Sequence, residues 1–283
     1  MKTRALVVPI LALSLAASSC GKLTVGGDGG IDHPTGAADL VLRVEIGGGL
    51  LPPEYLLRAY PVFSLYGDGR IVTEGPQIAI YPGPAMPNLL QRTTTEEGIQ
   101  DILKAAGEAG LLGPDAVYDY PCIVDAGTTT FTIHADGGTH VVSAYALFEG
   151  EQLCDGIDEE ARAKLLEFQR KIGDPTRWLP GGSLGDEEPY LEEELRVYVR
   201  PFSAAPDQNL EQPAASWPLA VSPAAFGESF GGLPDTRCGV VSGADLDLLR
   251  QGALTANELT PWESGGESYL LTFHPLLPDQ HSC

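Results

Sequence analysis

The chain has 283 residues, of which 17 are basic and 39 acidic, so its formal charge is −22; 43% of its residues are hydrophobic. A charge this negative argues against nucleic acid as a partner, because phosphate binding needs clustered Lys and Arg. The apolar fraction is too high for a wholly disordered chain. Beyond the N-terminus, no apolar run reaches the roughly 18 residues of a membrane-spanning helix. This length predicts one or two domains.

The N-terminus has the layout of an export signal peptide. Lys2 and Arg4 precede an apolar stretch over residues 5–17 that is too short to span a membrane comfortably. Small residues then end in Cys20, which resembles the lipobox of bacterial lipoproteins, although Ala17 stands where that family usually has Leu. The resemblance implies cleavage of residues 1–19 and lipidation of Cys20 with acyl chains such as palmitate. The alternative is an ordinary secretory signal peptide.

Residues 20–38 are rich in Gly and lack hydrophobic periodicity, so we predict a flexible tether between the lipid and the fold. The lipid would attach the protein to the cell membrane on its extracytoplasmic side. The negative charge would keep the body away from anionic lipid.

Four further cysteines remain, and an even number in an exported chain predicts two disulfide bonds. They are Cys122, Cys154, Cys238 and Cys283. Of the three possible connectivities we favour Cys122–Cys154 and Cys238–Cys283, because each pair lies within one half of the chain. No CxxC motif occurs, and the spacings do not fit a zinc site.

The first half, residues 39–172, predicts an α+β domain. Residues 39–46 alternate apolar and polar, which is typical of a half-buried strand. Asp-Gly turns predict hairpins at residues 67–69 and 136–138. Helices are predicted from Thr94, with a Thr94–Glu97 capping box, and over residues 157–172.

The second half, residues 194–283, predicts a smaller α+β unit. It has strands over residues 195–201, 238–241 and 267–273 and a helix from Ser242 to Gly252. Residues 173–193 between the halves are rich in Gly, Pro and acid and predict a linker. The expected fold class is therefore α+β, with antiparallel sheets, a few packed helices and possible similarity between the two halves.

One motif carries nucleophilic chemistry. Residues 227–231 match G-x-S-x-G, the nucleophile elbow of serine hydrolases, with Ser229 as the candidate catalytic residue. That motif needs a strand before the serine and a helix after it, whereas Pro223 and Pro234 interrupt both flanks. We therefore interpret the motif as a Gly-rich surface loop and keep a secreted hydrolase as the alternative.

Two histidines, His134 and His140, bracket the second predicted turn. A three-residue loop would place them opposite each other as a candidate metal site, whereas a two-residue loop would place them on opposite faces. We predict no metal and no other cofactor. The acidic cluster in the linker predicts a solvated segment; its members are Asp186, Glu187, Glu188, Glu192, Glu193 and Glu194.

The segments at residues 269–283 and 63–70 resemble those of uncharacterised exported lipoproteins of actinobacterial type, and the Ala, Gly, Pro and acid bias agrees. The resemblance implies a location and no activity. We predict a lipid-anchored binding or interaction module at the cell envelope, without catalysis. Its ligand would be a protein, peptide or small molecule in a groove between the halves, cationic if charge guides it. The alternatives are the hydrolase using Ser229 and a protease inhibitor.

Overall fold

A computed structural model describes residues 24–25, 29–149, 154–203 and 212–283, which form an α+β fold with two large sheets and four helices. The predicted fold class is confirmed. The predicted signal peptide and Cys20 lie outside the described residues.

The described residues form two large sheets, and we call each sheet with the helices packed on it a unit. The elements up to the first part of the linker are β1 (Thr24–Val25), β2 (His33–Pro34), β3 (Leu40–Gly48), α1 (Pro53–Leu56), β4 (Phe63–Tyr66), β5 (Arg70–Glu74), β6 (Leu89–Thr93), α2 (Glu96–Glu108), β7 (Ala116–Tyr118), β8 (Gly127–Ala135), β9 (Gly138–Tyr145) and α3 (Glu159–Gly173). The remaining elements are β10 (Glu188–Pro189), β11 (Glu194–Pro201), β12 (Ala215–Ser216), β13 (Glu228–Ser229), β14 (Arg237–Ser242), α4 (Gly243–Ala253), β15 (Pro261–Ser264) and β16 (Glu267–Pro275).

The first large sheet has the strand order β10–β6–β5–β4–β3–β8–β9–β7. Its neighbours run antiparallel except for the edge pair β7–β9, which is parallel. Both predicted hairpins are present. In the second hairpin, Asp136 and Gly137 form a two-residue loop with φ of 49° and 74°, the left-handed backbone that such a turn requires.

Helices α2 and α3 cover one face of this sheet. The predicted stripe of α2, including Ile102 and Leu103, is buried with Phe131 of β8 and Phe168 of α3. The predicted capping box is displaced by one residue. Thr95 is the N-cap and accepts a hydrogen bond from the Gly98 amide, while the Thr94 hydroxyl donates to Ser183 O at 2.9 Å.

The second sheet has the order β12–β15–β16–β11–β14–β13, with one parallel pair, β12–β15, at its edge. Helix α4 covers one face, where Leu249 packs with Val197 and Trp262. Ser242 occupies the predicted N-cap of α4, although its side chain accepts no capping hydrogen bond.

The two sheets place their first long strand in the same position. β3 lies between β4 and the β8–β9 hairpin, and β11 lies between β14 and the β15–β16 hairpin. The hairpins are inserted in opposite order, because β3 pairs with the first hairpin strand and β11 with the second.

A partly buried ion pair joins the two units. Arg43, on the helix-free face of the first sheet, donates to both Asp279 carboxylate oxygens at 2.9 and 2.7 Å, and Tyr66 Oη donates to the same carboxylate at 2.9 Å. Burial by itself raises the pKa of Asp279, but the hydrogen bonds and the Arg43 charge outweigh it, so the net pKa is lowered. The C-terminal segment is thereby fixed to the first sheet.

The predicted tether extends too far along the chain. His33 is buried with Nε2 3.0 Å from Glu96, and the Ile31 amide donates to the Gln100 side chain. Residues 31–38 therefore belong to the first unit, because α2 supplies partners for them.

The predicted linker also packs against the units. Ser183 is buried, β10 extends the first sheet, and Glu192 is buried with its carboxylate 3.0 Å from Arg250 Nε. The acidic cluster is thus only partly solvated, since Glu192 is enclosed by the second unit.

Candidate functional site

Two concave sites lie where the sheets meet, on either side of the segment at residues 50–61. This segment leaves β3, forms α1 and returns to the sheet at β4. Leu57 is buried against Tyr198 and Cys238 of the second sheet. Ala59 and Tyr60 line both sites. We call the two sites the polar cleft and the apolar groove.

The polar cleft has a volume of about 510 Å³ and lies between the helix-free face of the first sheet and the second sheet. Hydrogen-bonding side chains from both sheets line it: Glu45, Thr128 and Thr130 from the first sheet, and Arg196, Tyr198 and His274 from the second. The sheet registers place Glu45 beside Thr130 and Arg196 beside His274. Each wall therefore combines a charged group with a second hydrogen-bonding side chain.

The His274 ring is fixed in one tautomer. It is 6% exposed and stacks on Tyr60, with ring centroids 4.2 Å apart and an interplanar angle of 10°. Nδ1 lies 3.1 Å from Leu57 O, and because a carbonyl oxygen only accepts, Nδ1 carries the hydrogen and Nε2 is an acceptor. Burial, with a smaller effect of the Arg196 charge, lowers the pKa of His274 to about 4, so the ring is neutral at pH 7.

The acceptor Nε2 of His274 is free for a ligand. Within the described residues, Nε2 has no hydrogen-bond partner. It is not completely buried, so it keeps contact with solvent in the cleft. Arg196 beside it is held in place, since its Nε donates to Ser282 O at 2.8 Å and its Nη2 bonds to the same oxygen.

The apolar groove, on the other side of residues 50–61, has a volume of about 450 Å³. Val62, Met86 and Phe273 contribute apolar surface to it. An ion pair between Arg58 and Glu258, 3.3 Å apart, lies at its wall.

Glu74, the last residue of β5, supplies a carboxylate to this groove. Within the described ranges it has no ion-pair or hydrogen-bond partner, and partial burial raises its pKa. A cation that entered the groove would find this carboxylate uncompensated.

Large apolar side chains are exposed in two segments that border the groove, residues 46–56 and 78–81. Tyr55 and Ile78, which both line it, are 60% and 62% exposed, and Leu50 is 83% exposed. We call this set the apolar rim; it comprises Ile46, Leu50, Leu51, Tyr55, Leu56, Ile78, Ile80 and Tyr81. Exposed apolar surface of this extent commonly marks an interaction site on a soluble domain.

Ser229 lies on the short edge strand β13, and no helix follows it before β14. In the described part of the chain its hydroxyl forms no hydrogen bond to a histidine or carboxylate. The local structure requires glycine at position 227, because a Cβ at its φ of +57° would lie 1.9 Å from Cys238 O. The local geometry is therefore that of a strand edge rather than of a strand–turn–helix elbow.

His134 and His140 lie on opposite faces of their hairpin, because the loop has two residues and pairs His134 with Thr139 and His140 with Ile133. His134 Nδ1 is 2.9 Å from the Thr139 hydroxyl, and His140 Nδ1 is 2.8 Å from Gly113 O. Across the described residues, no group of three His, Cys, Asp or Glu side chains is placed to hold a metal ion.

The predicted disulfide bonds are confirmed with the favoured connectivity. Cys122 is bonded to Cys154 and Cys238 to Cys283, with Cα atoms 5.8 and 6.0 Å apart.

Sequence reasoning missed the residues that form the two sites, above all Tyr60, Glu74 and His274. The alternation of β16 could have placed His274 on the face opposite Leu271 and Phe273, since alternate strand residues share a face. Nothing local indicated that residues 50–61 would cover that face.

Comparisons with protein-family models, with curated proteins and with solved structures each found no match. None of the helices in the described ranges has the length and apolar character that crossing a membrane requires.

Proposed function

We propose that the protein is a lipid-anchored, extracytoplasmic, non-catalytic binding module of the cell envelope that docks a partner protein on the apolar rim and groove. The observation that carries the proposal is the set of eight exposed apolar side chains in residues 46–56 and 78–81, of which Ile46, Tyr55 and Ile78 line the groove. The lipobox-like sequence ending in Cys20 supports the anchor. The two disulfide bonds support an oxidising compartment.

The orientation of the first sheet suits such a role. The chain enters this sheet beside the β8–β9 turn, where the Asp136 amide donates to Asp32 O. The rim lies beyond Gly48 at the other end of β3, and nine strand residues separate the two ends by about 27 Å. On a membrane-attached tether, the rim would face away from the lipid.

The partner's contact segment would combine apolar side chains with a Lys or Arg. Apolar side chains would cover the rim, and the basic group would pair with Glu74, whose carboxylate has no described partner. The formal charge of −22 would also accelerate the encounter with a cationic partner.

Site-specific photo-crosslinking on intact cells tests this docking. A photoreactive phenylalanine analogue replaces Ile78 in the full chain, and the crosslinked partner peptide is sequenced by mass spectrometry. The expected adduct is to another protein, through an apolar segment that contains a basic residue. Glu74→Lys should abolish the adduct, because it places a like charge against that residue.

The same analogue at Val117, which is exposed on edge strand β7, is the control for position, and Glu108→Lys, at the exposed end of α2, is the control for charge. Crosslinking to lipid, to a second copy of this chain or to no protein would overturn the proposal, as would an adduct that persists in Glu74→Lys.

The anchor has a separate test, so that its failure is distinguishable from failure of the docking site. Cys20→Ala should move the protein from the membrane pellet to the soluble fraction and remove the acyl mass from its N-terminal peptide. Unchanged sedimentation and peptide mass in Cys20→Ala would contradict lipid attachment.

A further inference from the structure

We propose that the polar cleft, which adjoins the docking surface at Ile46 and Leu56, binds a neutral, polyhydroxylated small molecule such as a sugar. The proposal starts from the free acceptor Nε2 of His274, on a side chain that is 94% buried and lines a cleft of about 510 Å³. That volume falls within the range of small-molecule sites.

The cleft offers donors and acceptors in alternation. Nε2 of His274 accepts and the Arg196 guanidinium donates on one wall, since the two residues are cross-strand neighbours. On the other wall the Glu45 carboxylate accepts and the Thr128 hydroxyl can do both, while the Thr130 hydroxyl already shares a hydrogen bond with the Ser143 hydroxyl, 3.2 Å away. A hydroxyl group of a ligand also donates and accepts, so vicinal hydroxyls match either wall.

The charges of the cleft favour a neutral ligand. An anion drawn to Arg196 would face the lone pair of His274 Nε2 and the Glu45 carboxylate. A cation drawn to Glu45 would face the guanidinium on the opposite wall. A polyhydroxylated molecule can bond to all of these groups without an unpaired charge.

The wall that the second sheet forms, with His274 and Arg196, is preorganised for binding. Stacking on Tyr60 and the hydrogen bond to Leu57 O hold the His274 ring, and the bonds to Ser282 O hold Arg196. A ligand therefore loses little free energy in ordering these side chains.

Nitrogen NMR of the histidine rings in the full chain tests the proposal directly. The probes are the methyl glycosides of glucose, mannose, galactose and arabinose, and trehalose, with glucuronate and glucosamine as the charged counterparts. At least one neutral sugar is expected to shift the Nε2 resonance of His274. Thr128→Val and Glu45→Gln should each weaken its affinity about tenfold, because the first removes a hydroxyl from the first-sheet wall and the second replaces a charged acceptor with a neutral amide.

Thr132→Val is the matched control, because Thr132 lies on the same face of β8 as Thr128 and Thr130 but does not line the cleft. The affinity of the Thr132→Val protein for the sugar should equal that of the wild-type protein. The proposal is overturned if no neutral sugar shifts the His274 resonance, if glucuronate or glucosamine binds more tightly than every neutral sugar, or if Thr132→Val weakens binding as much as Thr128→Val.

Discussion

The two disulfide bonds differ in what they stabilise: one holds a single unit together, and the other also supports the contact between the units. Cys122–Cys154 closes a chain separation of 32 residues within the first unit, where Cys154 is buried with Tyr120 and Ala146. Cys238–Cys283 closes 45 residues in the second unit, but the segment that it fixes also carries Asp279, which bonds to Arg43 of the first unit. Similar crosslinks can therefore stabilise one unit alone or the connection between two.

Removing either disulfide bond should produce the largest loss of stability. For loops of these lengths, we expect replacement of both cysteines by serine to cost about 4 kcal/mol in the free energy of unfolding. The measurement is guanidinium unfolding of Cys122→Ser/Cys154→Ser and of Cys238→Ser/Cys283→Ser. Only the second variant should also make residues 276–283 more sensitive to limited proteolysis, and equal sensitivity in both would contradict the comparison.

Arg43→Met should lower the free energy of unfolding by about 2 kcal/mol, because it leaves the partly buried Asp279 carboxylate without its cation. Urea unfolding measures this loss. In the Cys238→Ser/Cys283→Ser background the same substitution should cost less, since the released C-terminal segment can expose Asp279 to water. An identical cost in both backgrounds would show that the disulfide bond does not support the ion pair.

The contact between the two units, which we call the junction, should also weaken in mild acid, because His274 becomes protonated. Its pKa is about 4 in the folded protein, against 6.5 for the free side chain, so folding favours the neutral ring. The resulting stability is present above pH 6.5 and is lost as the pH falls towards 4. By pH 5 the loss should be about 2 kcal/mol relative to pH 8.

Denaturant unfolding at these pH values measures the effect, with His274→Gln as the comparison. The loss between pH 8 and pH 5 should be smaller in His274→Gln by this amount. If the free energy of unfolding depended on pH in the same way in the wild-type protein and in His274→Gln, His274 would be excluded as the cause.

Tyr190→Phe should have the smallest effect, about 1 kcal/mol, because it removes one buried hydrogen bond from Tyr190 Oη to Leu276 O, 2.7 Å long. Tyr55→Phe, at an exposed side chain, is the control and should leave the thermal midpoint unchanged. Equal midpoints for both variants would mean that this bond contributes nothing to the junction.

Local patterns predicted most of the elements. Residues 67–69 and 136–137 form turns where Asp-Gly indicated them, and the apolar stripe of α2 is buried as its spacing required. The cysteine pairing was also predictable, because each bond closes within one unit.

The junction and both sites were not predictable, because their residues are far apart in the chain. Arg43 and Asp279 are separated by 236 residues, and His274 and Leu57 by 217. No local periodicity encodes such contacts. The boundaries of the predicted tether and linker were misplaced for the same reason, since His33 and Glu192 are buried by partners from distant helices.

Tyr60 forms part of the wall of both the polar cleft and the apolar groove. A molecule that displaces this ring from one side changes the shape offered to a molecule on the other side. Thermodynamic reciprocity then requires that each occupant alter the affinity of the other by the same factor. A sugar in the cleft and a partner protein in the groove would therefore share the Tyr60 ring as a contact.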